Sequence, residues 1–293
     1  MRSLLVSLPV LAVALAGCDA AETTTADPAD LEAVATVASA LALDSNGALD
    51  EAAHAATGHP YAALRGPGHG GHGLGDRGGA CDSEAAYDAG AGLTTITISC
   101  ERGEVGSDRY ATLDRTATAA FRDADGNAVE SAEDAASLTF TVVSGSSAAV
   151  SPRGSREVDA VSAVYEVTGL DGETVVVNGT SSRSGSYAVA RRNGASRSAD
   201  YTVTLALSDV TGPAPRRLAP ALFRGRWARA ASGTAEGVYR ATVTTTTPDG
   251  ETTTETVERP FTVEFPVDRE GRARVRMGGR DHGADLTSGD VDA

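Results

Sequence analysis

The segment Tyr201-Thr202-Val203-Thr204-Leu205-Ala206-Leu207 decides the fold class. Tyr201, Val203, Leu205 and Leu207 occupy every second position, with two threonines and an alanine between them. Successive side chains of an extended chain point to opposite faces, so one row meets a core and the other faces water. A helix would need spacings of three and four. The alternation continues on both sides of this segment. Ile96, Ile98 and Cys100 share a face, as do Leu138, Phe140 and Val142, and Val161, Ala163, Tyr165 and Val167. Further on come Phe261, Val263, Phe265 and Val267, then Ala273, Val275 and Met277.

Turn signals fall between these runs: Asp125-Gly126, Asp171-Gly172, Asn193-Gly194, Asp249-Gly250 and Glu270-Gly271. Such pairs supply the positive φ that tight hairpins require. Thr244 to Thr247 and Thr252 to Thr256 flank Asp249-Gly250 and are expected to pair across it. No helical run long enough for a crossover follows any strand, which excludes a doubly wound α/β fold. The chain therefore reads as mainly β, an antiparallel meander of long hairpins with short N-terminal helices. Alternation and hairpin turns are common to an open sheet, a barrel and a sandwich, so all three remain open.

Ahead of the strands, Asp27-Pro28 offers a helix start, with Leu31, Val34, Val37, Ala38 and Leu41 at helical spacing. Asn46-Gly47 stops that helix, and Leu49 to Ala56 reads as a second. Their apolar stripe is weak, which leaves both packing on the body and loose attachment open. Residues 57–80 are glycine-rich and read as a linker. At the other end, Gly212-Pro213-Ala214-Pro215 reads as a linker, since proline cannot donate to a ladder. The expected division is 1–17, a signal peptide; 18–80, tether, short helices and linker; 81–211, a β region; 212–221, a Pro-rich connection; and 222–293, a second β region or a continuation of the same sheet. Leu286 to Asp290 reads as a short closing strand and a polar end.

Composition narrows the function classes. The 293 residues carry 40 acidic and 25 basic side chains, a net charge of −15, and every basic residue is arginine. That surplus argues against a nucleic-acid partner, because phosphate binding needs a concentrated positive surface. Hydrophobic residues reach 41%, which fits a globular body, yet aromatics are only 4%, so the core is expected to be thin.

The N-terminus points to export. A short basic start, Met1-Arg2-Ser3, precedes an apolar run from Leu4 to Ala16 that only Ser7 interrupts. The run is too short to span a bilayer and has the length of a signal-peptide core. It ends in Leu15-Ala16-Gly17-Cys18, which resembles the lipobox of bacterial lipoprotein precursors. The resemblance covers the targeting segment alone. It implies cleavage before Cys18, diacylation of the Cys18 sulfur, and lipid anchoring to a membrane of the cell envelope. Asp19 does not settle which membrane. Without the resemblance, the same residues still predict export. Cleavage removes Arg2 and no other charged side chain, so the charge goes from −15 to −16. A body so acidic is repelled by anionic headgroups, which leaves the acyl chains as its anchor.

Export also bears on Cys81 and Cys100. In an oxidising compartment such a pair forms a disulfide, and no Cys-x-x-Cys spacing suggests metal or redox chemistry. His54, His59, His69 and His72, with Asp76, carry donors that suit zinc, nickel or copper. They lie on or beside glycine-rich chain without a scaffold to orient them, so whether they bind metal stays open and no metal site or cofactor is assigned. Asp123-Ala124-Asp125-Gly126-Asn127 resembles the start of a calcium loop. The glycine and glutamate due at positions six and twelve are Ala128 and Asp134, so a hairpin turn is expected. Asn178-Gly179-Thr180 fits a glycosylation sequon and is read as a turn. Arg224, Arg226 and Arg229 beside Trp227 form a basic cluster expected to face solvent or pair with acidic side chains.

No nucleophile elbow, phosphate loop or zinc-protease motif occurs, and the absence of lysine removes Schiff-base and Ser-Lys chemistry. The leading reading is a lipid-anchored envelope protein, a non-catalytic binding or structural β module, with its protein or small-molecule partner unspecified. Two alternatives remain: metal handling by the His/Gly segment, and a hydrolase with dispersed carboxylates.

Overall fold

A computed structural model describes residues 28–42, 47–57, 80–104, 106–152, 154–190, 193–214, 230–265, 272–285 and 291. Two helices come first, α1 (Pro28–Leu41) and α2 (Ala48–Thr57). Proline at the first helical position has its φ preset and lacks only a donor that would be unpaired anyway. Between the helices the Gly47 amide donates to the Ala42 carbonyl at 2.9 Å. A Cβ at Gly47 would lie 2.4 Å from the Leu41 carbonyl carbon, so only glycine fits this close approach.

The strands are β1 (Ala80–Asp88), β2 (Leu93–Arg102), β3 (Tyr110–Arg122), β4 (Ala128–Val129), β5 (Ser137–Ser151) and β6 (Gly154–Thr168), followed by β7 (Thr174–Ala190), β8 (Ser196–Pro213), β9 (Ser232–Thr246), β10 (Thr252–Phe265), β11 (Arg272–Met277) and β12 (Arg280–Asp285). They form one antiparallel sheet in chain order, with β4 set aside against the end of β3. The sheet is an open meander bounded by β1 and β12. Gly126, Gly194 and Gly250 take positive φ in their Asx-Gly turns, as that dipeptide predicts. At Asp171-Gly172 the positive φ is taken three residues earlier, by Gly169. The threonine segments pair across Asp249-Gly250, Thr244 with Thr254 and Thr246 with Thr252.

The weak helical stripe undersold α1 and α2. Ala33, Val34, Val37, Ala38 and Leu41 are wholly buried, as are Leu49 and Ala52. The helices lie on the inner face of the sheet, and their side chains join those of β2 to β12 in one continuous core. α2 touches β5, β6 and β7 while α1 touches β11 and β12, so the sheet bends around them. Register shifts in the middle strands supply the bend. Val143 is an extra residue in β5, Asp159 in β6, and β8 bulges at Asp209, which has a φ of +49°. A bulge bends its strand and increases the local twist.

Two expectations need correction. Asn178-Gly179-Thr180 is not a turn but lies inside β7 at a register shift, where Asn178 Oδ1 accepts from the Asp209 amide at 2.8 Å. The sequence suggested a turn because Asn-Gly favours one; here Asn178 lies opposite the β8 bulge and holds its Asp209 amide. Gly212 and Pro213 do not start a linker. β8 runs through Pro213, paired with Thr174 at the strand end, where a missing donor is tolerated. β8 then pairs directly with β9, so the strands before and after this stretch belong to one sheet, and residues 215–221 lie outside the described residues.

Candidate functional site

The inner wall carries arginines on its core-facing phase: Arg115 on β3, Arg156 on β6, Arg183 on β7, Arg197 on β8 and Arg259 on β10. Each meets a polar group of a helix. Arg259 binds Asp30 at 2.9 Å, Arg197 binds Glu32 at 2.5 Å, and Arg156 reaches the Ser39 hydroxyl. Glu51 takes Arg115 and Arg183 on one oxygen, each at 2.7 Å, and the Tyr165 hydroxyl on the other at 2.8 Å. Asp50, also buried, brings the charge of this cluster to balance.

Burial lowers the Arg115 guanidinium, against the opposing pull of Glu51. Burial and then the Glu51 charge push the Tyr165 hydroxyl well above its ordinary range. Burial, followed by Glu32, raises Tyr187, and the same two causes push Tyr239 up to about 12. Every member of the Glu51 cluster is enclosed and partnered by another. These contacts tie α2 to β3, β6 and β7.

The opposite face of the sheet carries a groove of about 1070 Å³. Its geometry follows from the register. Thr141, Val164, Thr180, Ala206, Glu236 and Thr262 stand side by side on successive strands from β5 to β10. Two residues away along each strand stands a second row: Ser162, Ser182, Thr204, Val238 and Pro260. Between them the backbone of Ala163, Ser181, Leu205, Gly237 and Phe261 forms the floor, with those side chains directed inward. The groove thus crosses the strands at right angles. Val143, bulged out of β5, is 58% exposed at one end, and Val164 beside it is 44% exposed. Apolar groups alternate with hydroxyls along the walls, and charge enters only toward the other end, with Glu236 and Arg276. Arg276 is held by Asp281 at 2.8 Å, and that hydrogen bond lowers the Asp281 carboxyl. Such a trough fits a long, mostly apolar ligand better than a polar one.

Cys81 and Cys100 face each other across β1 and β2 and are bridged, their sulfurs 2.10 Å apart. Cys18, His59, His69, His72 and Asp76 lie outside the described residues, as do Leu286 to Asp290 and the Arg224, Arg226, Trp227 and Arg229 cluster. His54 lies on α2. Asp123 closes a turn after β3: its carboxylate accepts from the Asp125 and Asn127 amides at 2.9 and 2.8 Å and from the Asn127 side chain at 3.1 Å. The Asn127 side chain is the main cause of its lowered pKa.

Neither the Glu51 cluster nor the groove was found from sequence. The cluster left a signal: Arg115 follows Leu113 and precedes Ala117 on the apolar phase, and Arg259 sits likewise between Val257 and Phe261. An arginine in step with core residues needs an acidic partner. The groove left none, because its rows assemble from six strands. Comparison with protein-family models, curated proteins and solved structures finds no match for the chain.

Proposed function

We propose that this is an exported, lipid-anchored envelope protein whose body is a non-catalytic binding module, with the outer groove as its site for an elongated, largely apolar ligand. The groove is the observation that carries the reading. It places Val143 and Val164, two large apolar side chains, in water, with Val238 and Pro260 also on its walls. The enclosed state of the Glu51 cluster favours binding over hydrolysis, because those buried carboxylates are already committed to holding helices. The lipobox supports the anchor.

Two measurements test the two halves. Intact mass of protein taken from native envelopes is expected to show a chain that begins at Cys18 and carries acyl groups; a free thiol on an uncut chain overturns the anchor. A fluorescent long-chain alkyl probe, titrated into the mature chain bearing Cys18→Ser, is expected to saturate. Val143→Asp combined with Val164→Glu should weaken it at least tenfold while leaving the circular dichroism unchanged. Binding that ignores these substitutions overturns the groove as the site.

A further inference from the structure

The charges around the groove do not cancel. Its walls carry two charged side chains, Glu236 and Arg276. Arg276 is already engaged: its Nε donates to one Asp281 oxygen at 2.8 Å and its Nη2 to the other at 3.4 Å. Arg259, on β10, turns to the inner face and binds Asp30 at 2.9 Å. Two other carboxylates of the outer face are matched as well, Glu258 by Arg240 at 3.0 Å and Glu264 by Arg274 at 3.3 Å. Glu236 is exposed, and among the described residues no cation pairs with it. The groove therefore holds one unmatched negative charge.

Register places that charge at one end of the apolar stretch. Glu236 pairs with Ala206, Ala206 with Thr180, and Thr180 with Val164. At about 4.8 Å per strand, Val164 stands about 14 Å from Glu236, and Val143, one strand further, about 19 Å. An extended alkyl chain, with carbon–carbon bonds of about 1.5 Å, advances about 1.3 Å per carbon, so about eleven to fifteen carbons cover the distance. We propose that the groove's ligand is a single-chain amphiphile, with a cationic ammonium head on Glu236 and a tail of that length running past Ala206 and Val164 toward Val143. This rests on the reading of the groove as a site for an elongated, largely apolar ligand and names the class of that ligand.

Head and tail are each matched where they lie. The Glu236 carboxylate accepts from an ammonium without giving up a partner. A carboxylate or sulfate head would meet Glu236 as a like charge and find both Arg259 and Arg276 bound to carboxylates. A tail beside Ala206, Val164 and Val143 takes their exposed methyl groups out of water, and it has no polar group of its own to satisfy. The net charge of −15 acts in the same direction, since the field of that surplus concentrates cations near the surface.

Tetradecyltrimethylammonium, tetradecyl maltoside and tetradecyl sulfate share one tail and differ in the charge of the head. Each competes with the fluorescent alkyl probe for the mature chain bearing Cys18→Ser, below its micelle concentration and where the circular dichroism is unchanged. The cationic head is expected to compete about threefold to fivefold better than the neutral one, the size of an exposed ion pair, and the anionic head worst. Glu236→Gln should abolish the cation's advantage over the maltoside, and Glu236→Arg should hand it to the sulfate. Glu101→Gln, which removes the same charge from β2, should leave it intact. Octyltrimethylammonium should compete at least about tenfold more weakly than the tetradecyl compound. An advantage that survives Glu236→Gln overturns the proposal, because net charge then explains it. Equal competition by all three heads overturns it and leaves the groove as an apolar site. Tighter competition by tetradecylphosphocholine than by the ammonium overturns it by giving the site to a zwitterionic lipid. A chain on which the alkyl probe does not saturate overturns both this proposal and the reading of the groove.

Discussion

Glu51 accepts a hydrogen bond of 2.7 Å from Arg183, a residue 132 positions further along the chain. The contact is buried on both sides and joins α2 to the middle of the sheet. Arg115 shares the same oxygen. Two guanidinium groups so far from water are offset in charge by Glu51, with Asp50 nearby.

Glu51→Gln should therefore destabilise the fold by about 3–5 kcal/mol, the usual cost of leaving a buried charge without its partner. Glu258→Gln is the control. Its bond to Arg240 lies in water, and its loss should cost less than about 1 kcal/mol. Urea denaturation of the two variants checks the difference.

Alkaline pH should loosen the fold before it affects the ion pairs. Tyr165, Tyr187 and Tyr239 all have raised folded pKa values, Tyr239 to about 12. In the unfolded chain they ionise near pH 10. Above that value the unfolded state holds fewer protons than the folded one, so stability falls as pH rises. It is fully present below about pH 10 and declines through the range above. Tyr165→Phe should flatten part of that decline, at a cost of about 1–3 kcal/mol at neutral pH from the bond lost to Glu51. Denaturation midpoints between pH 8 and pH 11.5 measure both effects; a flat profile would refute the assignment.

Reduction of the Cys81–Cys100 bridge should cost about 3 kcal/mol in the chain-entropy account, for a separation of 19 residues. Its effect should be local. β1 is an edge strand with mostly exposed side chains, paired among the described residues only with β2. Hydrogen exchange of the β1 amides should accelerate on reduction while the amides of β7 and β8 stay protected.

Gly237→Val tests the floor of the groove. A Cβ there would lie 2.0 Å from the Thr204 carbonyl oxygen and 2.7 Å from the Phe261 ring. The backbone of β8 and β9 must shift, at a cost of about 3 kcal/mol. Thermal unfolding should report it, whereas Thr254→Val on the exposed tip should stay within about 0.5 kcal/mol of the wild type.

The strands were legible because burial on one face imposes a period of two, as Tyr201 to Leu207 shows. The bridge was legible because Cys81 and Cys100 are the only cysteines after Cys18. The helices were legible as helices and not as core. Alanine gives α1 a shallow stripe, and its worth depends on the wall that closes over it. The strand placement of Asn178 was hidden because Asn-Gly favours a turn locally, and the bulge it faces belongs to β8, thirty-one residues further on.

The sequence alone determined an antiparallel meander and the core-facing rows of β2, β5, β6, β8, β10 and β11, because these follow from neighbours a few residues apart. Only the tertiary structure decided that the sheet bends around two helices, that Glu51 meets Arg115 and Arg183, and that two rows of side chains border a groove. Each of those depends on register summed over many strands, and no local pattern carries that sum.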